Sequence, residues 1–286
     1  MHELAVALGK AIGATLQPKP AAAVHGGSIN QSYRWETLTG PIFVKVAPVQ
    51  RREMFEAEAA GLDELRRANA VRVPRVLGIA ATEGEVALAL EWIELGKSSR
   101  AAQTALGEQL AAQHRVTAKA FGWHRDNTIG SSPQLNVWCD DWVVFFRERR
   151  LRPQLEMARA NGFPGPAAAA GDLSQLDRLL GPSREPPSLL HGDLWGGNWG
   201  TDESGAPVIF DPAVYFGDRV ADIAMTRLFG GFGAGFYAAY EAAWPLPPEA
   251  DRRVELYNLY HVLNHLNLFG GRYLAQALSS IASLLG

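Results

Sequence analysis

The pattern of apolar and polar positions divides the chain into a first third of mixed strands and helices and a mainly helical remainder. Leu4, Leu8, Ile12 and Leu16 recur at helical spacing and predict an amphipathic helix. Short apolar runs predict strands, and these lie within residues 24–36 (a pair), 41–46, 73–78 and 85–93. Helical spacing defines the other segments, which are 51–67, 98–119, 138–151, 173–180, 248–268 and 272–285.

The order of these elements predicts an α+β fold with two lobes. About five strands and one cover helix, 51–67, would form a small antiparallel sheet lobe in residues 1–94. The chain would leave this lobe through a hinge at about residues 91–95, and residues 95–286 would form a larger, mainly helical lobe. In the third predicted strand, alternation places Phe43 and Lys45 on the same side.

Composition excludes several classes of protein. The 286 residues are 47% hydrophobic and 20% charged, with a net charge of -3, which suits a globular enzyme and disfavours a dedicated nucleic-acid binder. No apolar run approaches the ~20 residues of a membrane span, and the N-terminus lacks the basic start of a secretory signal. Cys139 is the only cysteine, so no internal disulfide can form. We therefore expect a cytoplasmic monomer that binds neither nucleic acid nor membrane.

Candidate chemistry concentrates in residues 191–211, which read His-Gly-Asp-Leu-Trp-Gly-Gly-Asn-Trp-Gly, then a polar turn, then Pro-Val-Ile-Phe-Asp. Asp193 and Asn198 have the Asp-x-x-x-x-Asn spacing of a kinase catalytic loop, and Asp211 ends the apolar strand that follows. Phosphoryl transfer to a hydroxyl needs a carboxylate at the acceptor oxygen and oxygen ligands for Mg²⁺. The stretch predicts a phosphotransferase that uses ATP and Mg²⁺, with Asp193 catalytic and with Asn198 and Asp211 as metal ligands.

The first third contains residues that suit ATP binding. Gly26, Gly27 and Ser28 form a small-residue loop between two strands, where the backbone can approach a phosphate closely. Lys45 follows this loop and precedes an acidic helix, which is the order expected of a lysine that contacts the α- and β-phosphates. We therefore predict that these four residues bind the nucleotide.

Two further predictions complete the ATP site. A kinase-type lysine is held by a glutamate on the following helix, and Glu58 is the preferred candidate, with Glu56 as the alternative. At the exit of the strand 85–93, the backbone around Glu91 and Ile93 is expected to pair with adenine.

Three other motifs resemble known functional sites but lack the neighbouring residues or elements that those sites require. His-Arg-Asp at 124–126 spells the start of a kinase catalytic loop, but position 131 is Ser where Asn is required. The glycine-rich run 230–235 follows a helix instead of a strand, which argues against dinucleotide binding. His261 and His265 lie four residues apart on a helix without the glutamate of a zinc motif, so we interpret both as packing residues.

Three more features have structural or acceptor-side interpretations. Arg147, Arg149, Arg150 and Arg152 form the most basic patch of the chain, and without interleaved aromatic residues we interpret it as a solvated helix face. Asp222, at the start of a helix, could steady the catalytic loop. The polar loop 121–134 is expected to line the acceptor site, with Asp126 and Asn127 as candidate substrate contacts.

Taken together, these motifs resemble the fructosamine kinase (ketosamine-3-kinase) family, which has a protein-kinase-like fold and is related to aminoglycoside and choline phosphotransferases. The resemblance rests on residues 191–198, on Asp-Asn-Thr-Ile-Gly-Ser-x-Pro-Gln at 126–134, and on Leu-Phe-Gly-Gly-Phe at 228–232. Trp195 and the 126–134 loop narrow the resemblance from the wider group of phosphotransferases to the fructosamine kinases. Some members carry Cys in the glycine loop where this chain has Ser28, so thiol-based redox control is not carried over.

The resemblance implies ATP-dependent phosphorylation of the 3-hydroxyl of a ketosamine, a fructosamine or ribulosamine, on a small amine or a protein lysine. Such products decompose and release the amine, which implies a role in deglycation. Asp193 would accept the proton of the hydroxyl. The ring of Trp195 would form a wall for the sugar or its amine-bearing group.

Two alternatives stay open. A phosphotransferase for another alcohol, such as an aminoglycoside, choline or homoserine, is disfavoured by Trp195 and by the lack of an acidic cluster on the acceptor side. A non-catalytic nucleotide-binding scaffold would be expected to lack a working residue, yet Lys45, Asp193, Asn198 and Asp211 are all present.

Overall fold

The first part of the chain is built on one antiparallel sheet, as the sequence predicts. The computed structural model describes residues 1–24, 30–96, 98–181 and 185–285. The strands are β1 (Ala22–Val24), β2 (Gln31–Thr37), β3 (Gly40–Pro48), β4 (Val76–Ala81) and β5 (Glu85–Glu91). They lie in the order β1-β2-β3-β5-β4, and every neighbouring pair is antiparallel. The predicted glycine loop at Gly26, Gly27 and Ser28 lies outside the described residues.

A helix covers each face of this sheet, α1 (His2–Ile12) on one side and α2 (Arg52–Ala68) on the other. On β3, the side chain of Val44 packs with Leu8 of α1, whereas Ala47 belongs to the core that contains Phe55 of α2. Because side chains alternate along a strand, Lys45 lies on the α2 side, where an acidic helix faces it. The sheet therefore places Lys45 beside α2, the helix whose glutamates can form an ion pair with it.

Helices dominate from residue 100 onward. They are α3 (Arg100–His114), α4 (Trp142–Phe146), α5 (Arg152–Ala160), α6 (Gly165–Ala170), α7 (Ser174–Leu180), α8 (Val220–Leu228), α9 (Ala234–Ala243), α10 (Ala250–Phe269) and α11 (Leu274–Leu285). Short 3₁₀ segments cover Val49–Arg51 and Gly271–Tyr273, and a π-helical turn, Arg147–Leu151, joins α4 to α5. The predicted α+β class is confirmed.

In the described residues of this part, short strands pair to form three two-stranded antiparallel sheets. They are β6 (Asn127–Ile129) with β7 (Ser132–Gln134), β8 (Ser188–Leu190) with β11 (Tyr215–Gly217), and β9 (Trp199–Thr201) with β10 (Pro207–Ile209). The β9–β10 pair is the hairpin within the 191–211 stretch. The β6–β7 pair replaces part of the loop predicted at 121–134.

Side chains cap the starts of α3 and α4; Ser98 and Ser99 are the predicted candidates for the first cap, whereas the second helix starts later than predicted. The Ser99 hydroxyl accepts a hydrogen bond from the Ala102 backbone N–H and starts α3 at residue 100. Asp141 accepts a hydrogen bond from the Val144 backbone N–H, so α4 starts at residue 142 and not at 138. The apolar pattern did not predict α5, α6 or α9.

The interpretation of the basic patch as a solvated face is wrong for Arg150, which is fully buried. Its guanidinium lies 4.0 Å from the ring centre of Tyr215. It donates hydrogen bonds to the Leu135 carbonyl (2.6 Å) and to Asn136 Oδ1 (2.8 Å). A guanidinium can be buried where an aromatic face and fixed acceptors replace water.

The longest helix, α10, runs through the core of the helical part and carries buried polar groups that are paired. Arg253 lies 2.9 Å from Asp218, and the Tyr257 hydroxyl donates to the same carboxylate at 2.6 Å. The indole N–H of Trp142 donates to the Tyr257 oxygen at 2.9 Å, which joins α4 to α10. None of the described helices has both the length and the apolar character that crossing a membrane requires.

The contact between α3 and α9 leads to a prediction about stability. A Cβ at Gly107 of α3 would lie 2.3 Å from the Phe236 carbonyl oxygen of α9. Alanine gains about 1 kcal/mol of helix propensity, but overpacking against a backbone costs about 1–3 kcal/mol. We expect Gly107→Ala to lower the free energy of unfolding, measured by urea denaturation. Gly84→Ala, where nothing lies within 4 Å, is the matched control. A native-like Gly107→Ala protein would contradict this view of the contact.

Candidate active site

A cleft of about 550 Å³ lies between the sheet and the helical part, within the range of small-molecule sites. The predicted site residues that line it are Lys45, Glu58, Glu91, Ile93, Asn127, Asp193, Trp195, Asn198 and Asp211. They come from β3, α2, the segment after β5, the β6–β7 hairpin and the stretch 191–211. Residues far apart in the sequence thus share one cavity.

The loop that carries Asp193 begins with a backbone conformation that requires glycine. Gly192 has φ +82°, and a Cβ there would lie 2.0 Å from the Ala213 carbonyl oxygen. The backbone N–H groups of His191 and Gly192 both donate to the Asp222 carboxylate, at 2.7 and 2.8 Å. Asp222 therefore holds the loop in place from the start of α8.

Asp222 is charged in its buried position because its surroundings satisfy it. The ring of His114, in α3, lies 3.2 Å from the carboxylate through Nε2 and 2.7 Å from the Tyr240 hydroxyl through Nδ1. Burial alone would raise the pKa of Asp222, but the interactions with His114, His191 and the Gly192 N–H together hold it below its usual value. The loop N–H groups thus face an ionised acceptor.

Asp193 is positioned by Asn198. The Asn198 amide nitrogen donates to the Asp193 carbonyl at 2.9 Å and to its Oδ2 at 3.3 Å. Desolvation, reinforced by the negative charges of Asp211 and Asp222, raises the pKa of Asp193 to about 7. A carboxylate with this pKa can accept a proton near neutral pH.

Lys45 joins the sheet to the catalytic stretch. Its Nζ lies 2.5 Å from Glu58 Oε1 and 2.6 Å from Asp211 Oδ1. Burial alone would lower the pKa of Lys45, but the two carboxylates outweigh it and raise the pKa, so the lysine is charged. The alternative partner, Glu56, instead pairs with Arg52 on the exposed side of α2, 2.7 Å away.

Asn198 and Asp211 offer oxygen ligands of the kind that Mg²⁺ prefers. The Asn198 amide nitrogen faces Asp193, which leaves its amide oxygen as a potential ligand. Asp211 reaches the cleft with φ 57°, a left-handed conformation that aspartate tolerates better than most residues. Mg²⁺ is commonly held by one or two protein ligands together with substrate phosphates. The residues present therefore fit this ion.

Glu91, the last residue of β5, and the segment that follows it line the cleft. The Glu91 carboxylate accepts hydrogen bonds from Arg72 (2.9 Å) and from the Arg75 backbone N–H (3.2 Å). Ile93 follows beyond the last residue of β5 and also lines the cleft.

The prediction that Asp126 contacts substrate is not supported by its position. Asp126 is exposed, is absent from the cleft lining and accepts a hydrogen bond from the Asn136 backbone N–H at 2.7 Å. Asn127 lines the cleft, but its amide donates to the Val214 carbonyl (2.8 Å) and accepts from Gln134 (2.8 Å). Both side chains thus stabilise the β6–β7 hairpin, because such polar residues readily satisfy nearby backbone groups.

Trp195 also lines the cleft, and 37% of its surface is exposed. Its ring meets that of Phe229 edge-on, with centres 6.3 Å apart, and Phe229 lies 4.7 Å from the ring of His265. His265 lines the cleft too. In the sequence, His265 is notable for its four-residue spacing from His261, but the role predicted for it there is packing.

The glycine-rich run 230–235 supports the catalytic loop instead of binding a nucleotide. A Cβ at Gly231 would lie 2.6 Å from the Gly196 Cα, so the two backbones are in close contact. The Gly233 N–H donates to Gln103 of α3 at 2.7 Å, which anchors the run. Loop 228–233 and the loop that carries Asp193 are therefore in direct backbone contact.

Comparisons with known proteins find relatives along nearly the whole chain. The family model described as fructosamine kinase matches residues 1–286. A probable ketoamine kinase of Synechocystis is 46% identical over 258 residues, which are 89% of this chain and 86% of that protein. The chloroplastic protein-ribulosamine 3-kinase of Arabidopsis thaliana is 40% identical over 281 residues, 96% of this chain and 85% of that protein.

Solved structures extend the likeness to the fold. A candidate fructosamine-3-kinase from Thermobifida fusca matches with a TM-score of 0.86 and 32% identity, over 100% of this chain and 99% of that one. An aminoglycoside phosphotransferase in complex with AMP-PNP and hygromycin B matches at 15% identity and a TM-score of 0.63, over 100% and 98%. At that identity the likeness concerns the fold alone, which is the predicted protein-kinase-like fold. The chain belongs to the fructosamine kinase family.

Proposed function

We propose that the protein is an ATP-dependent kinase that phosphorylates the 3-hydroxyl of a ketosamine, such as a fructosamine or ribulosamine. The observation that carries the proposal is that the Lys45–Glu58 pair, Asp193, Asn198 and Asp211 line one cleft. These are the parts that kinase chemistry requires. Membership of the fructosamine kinase family, and relatives named for ketoamines and ribulosamines, support a ketosamine as the acceptor.

ATP would bind at the sheet end of the cleft. Lys45, oriented by Glu58, contacts the α- and β-phosphates, and the backbone of Glu91 and Ile93 pairs with adenine. Gly26, Gly27 and Ser28 cover the phosphates in this proposal. The division into a nucleotide-binding lobe, 1–94, and a catalytic lobe, 95–286, with a hinge at about 91–95, follows from the same assignment.

The chemical step would take place at Asp193. Its carboxylate aligns the substrate hydroxyl and accepts the hydroxyl proton as the oxygen bonds to the γ-phosphorus, while the bond from the γ-phosphorus to the β,γ-bridging oxygen breaks and ADP leaves. Asn198 and Asp211 would hold Mg²⁺, which would supply positive charge against the negative charge that develops on the phosphates. Asn198 also fixes the Asp193 backbone and carboxylate through its amide nitrogen. Trp195 forms a wall beside the acceptor.

The cellular setting is part of the proposal. We propose a cytoplasmic monomer that acts on glycated small amines or on glycated protein lysines and so contributes to deglycation. The single cysteine, Cys139, is consistent with a reducing compartment. Size-exclusion chromatography with light scattering tests the monomer, and a dimer mass would contradict it.

Substrate class is tested by ADP release from ATP and Mg²⁺ with ribuloselysine, fructoselysine and kanamycin in parallel. We expect turnover with at least one ketosamine and none with kanamycin. The cleft has few free carboxylates for a polycation, because Glu58, Asp211 and Glu91 already pair with cations. Turnover of kanamycin alone would favour an aminoglycoside phosphotransferase. Nucleotide binding with no turnover on any of the three would favour the scaffold.

Removal of the base should separate binding from chemistry. We expect Asp193→Asn to lower kcat by about 10²–10⁴-fold, with the Kd for ATP within about threefold of native because the base does not touch the nucleotide. Asp126→Asn is the control, since Asp126 lies outside the cleft and asparagine keeps the acceptor for Asn136. A near-native kcat for Asp193→Asn would remove Asp193 from this role.

Loss of the Glu58 charge, which pairs with Lys45, should lower activity far more than loss of the Glu56 charge on the same helix. We expect Glu58→Gln to lower kcat/KM for ATP by about 10–100-fold, because the amide oxygen can still accept from Lys45 but the negative charge is lost from an interaction worth about 1.5–3 kcal/mol. Glu56→Gln removes only an exposed pair with Arg52, which is worth under about 1 kcal/mol, and should change kcat/KM less than threefold. Equal effects of the two variants would contradict the assigned pairing.

A further inference from the structure

A run of aromatic rings forms one side of the acceptor end of the cleft. We call Trp195, Phe229, His265, Phe269 and Tyr273 the aromatic wall. Ring centres are 6.3 Å apart between Trp195 and Phe229, 4.7 Å between Phe229 and His265, and 5.4 and 5.1 Å from His265 to Phe269 and Tyr273. Trp195, His265 and Phe269 line the cleft itself. His265 is the one member whose ring carries hydrogen-bonding nitrogens on both edges.

The backbone of α10 sets the tautomer of His265. Its Nδ1 lies 2.8 Å from the His261 carbonyl oxygen one turn earlier. A carbonyl oxygen can only accept, so Nδ1 carries the hydrogen. Burial, helped by the positive charge of Arg272, lowers the pKa of His265 despite that hydrogen bond, which keeps the ring neutral near pH 7. In the neutral ring, Nε2 is therefore an acceptor without a hydrogen.

The carboxylates of the cleft are occupied by other partners. Glu58 and Asp211 contact Lys45, and Glu91 contacts Arg72. Glu94 accepts a hydrogen bond from the Trp92 indole at 2.9 Å. A cation at the acceptor end would therefore meet the aromatic wall and the catalytic carboxylate.

Aromatic faces attract cations, and the attraction grows when water is excluded. The amine of a ketosamine is a secondary ammonium near neutral pH, so it is a single cation with N–H donors. An acceptor nitrogen set among aromatic rings matches both properties. A sugar hydroxyl would match the nitrogen but would gain little from the rings.

We propose that His265 determines specificity by accepting, through Nε2, a hydrogen bond from the ammonium group of the ketosamine, which lies against the ring of Trp195. This inference rests on the proposed function and specifies which part of the acceptor that site reads. Phe229, Phe269 and Tyr273 hold the His265 ring in position. His265 thereby favours acceptors with one amine beside the sugar over neutral sugars.

The test compares fructoselysine with 1-deoxyfructose, which lacks the amine, as acceptors for the native enzyme and for variants. His265→Phe keeps the ring contacts and removes Nε2, whereas His265→Gln supplies an acceptor oxygen. His124→Phe is the matched control, because His124 is exposed, packs on Trp123 and does not line the cleft. Urea denaturation of each variant confirms that it folds.

We expect His265→Phe to lower kcat/KM for fructoselysine by about 10–100-fold, the range for a lost hydrogen bond to a charged group, and that for 1-deoxyfructose by less than threefold. KM for ATP should stay unchanged, His265→Gln should recover part of the loss, and His124→Phe should match native. Equal losses for both sugars, or no loss for fructoselysine, would overturn the proposal.

A measurement on the native enzyme does not depend on the folding of any variant. The ¹⁵N resonance of His265 Nε2 should shift when fructoselysine is added without ATP and should not shift with 1-deoxyfructose. Identical responses to the two sugars, or none, would overturn the proposal. Failure of the native enzyme to phosphorylate any ketosamine would instead count against the proposed function, so the two failures are distinguishable.

Discussion

The buried carboxylate of Asp222 is the interaction on which the rest of the site depends. It accepts the backbone N–H groups of His191 and Gly192, and His114 holds it from α3. A buried N–H left without a partner costs about 1–3 kcal/mol, so the loop adopts its sharp turn only where this carboxylate is present. The position of Asp193 is thus set by the packing of α3 and α8, elements that never touch the reacting groups.

Lys45 makes the second link, because one ammonium group contacts α2 through Glu58 and the catalytic stretch through Asp211. Alternation along the strand predicted that Phe43 and Lys45 share a side, and the structure shows that this side faces α2. The sequence could not decide between Glu56 and Glu58, since residues two apart on a helix point to different sides and only the docking of α2 on the sheet selects one. The choice between Glu56 and Glu58 therefore depends on tertiary packing.

The candidate catalytic residues could be chosen from the sequence because kinase chemistry imposes a fixed local spacing: Asp193 and Asn198 share a loop and Asp211 follows the next strand. The acceptor side was not predictable in the same way. Asp126 sits in a motif-like polar loop, yet its carboxylate satisfies a local backbone N–H. His265 comes from α10 and meets rings from a loop that closes α8, so no single window of sequence contains the aromatic wall.

The most direct test of the central claim is the position of the phosphate in the product. After incubation of the native enzyme with ATP, Mg²⁺ and a ketosamine, ³¹P–¹H correlation NMR identifies the proton coupled to phosphorus. Because the 3-hydroxyl is the proposed acceptor, we expect coupling to the single proton on carbon 3 of the sugar. Coupling to a methylene proton, or to a sugar proton on any carbon other than carbon 3, would contradict it.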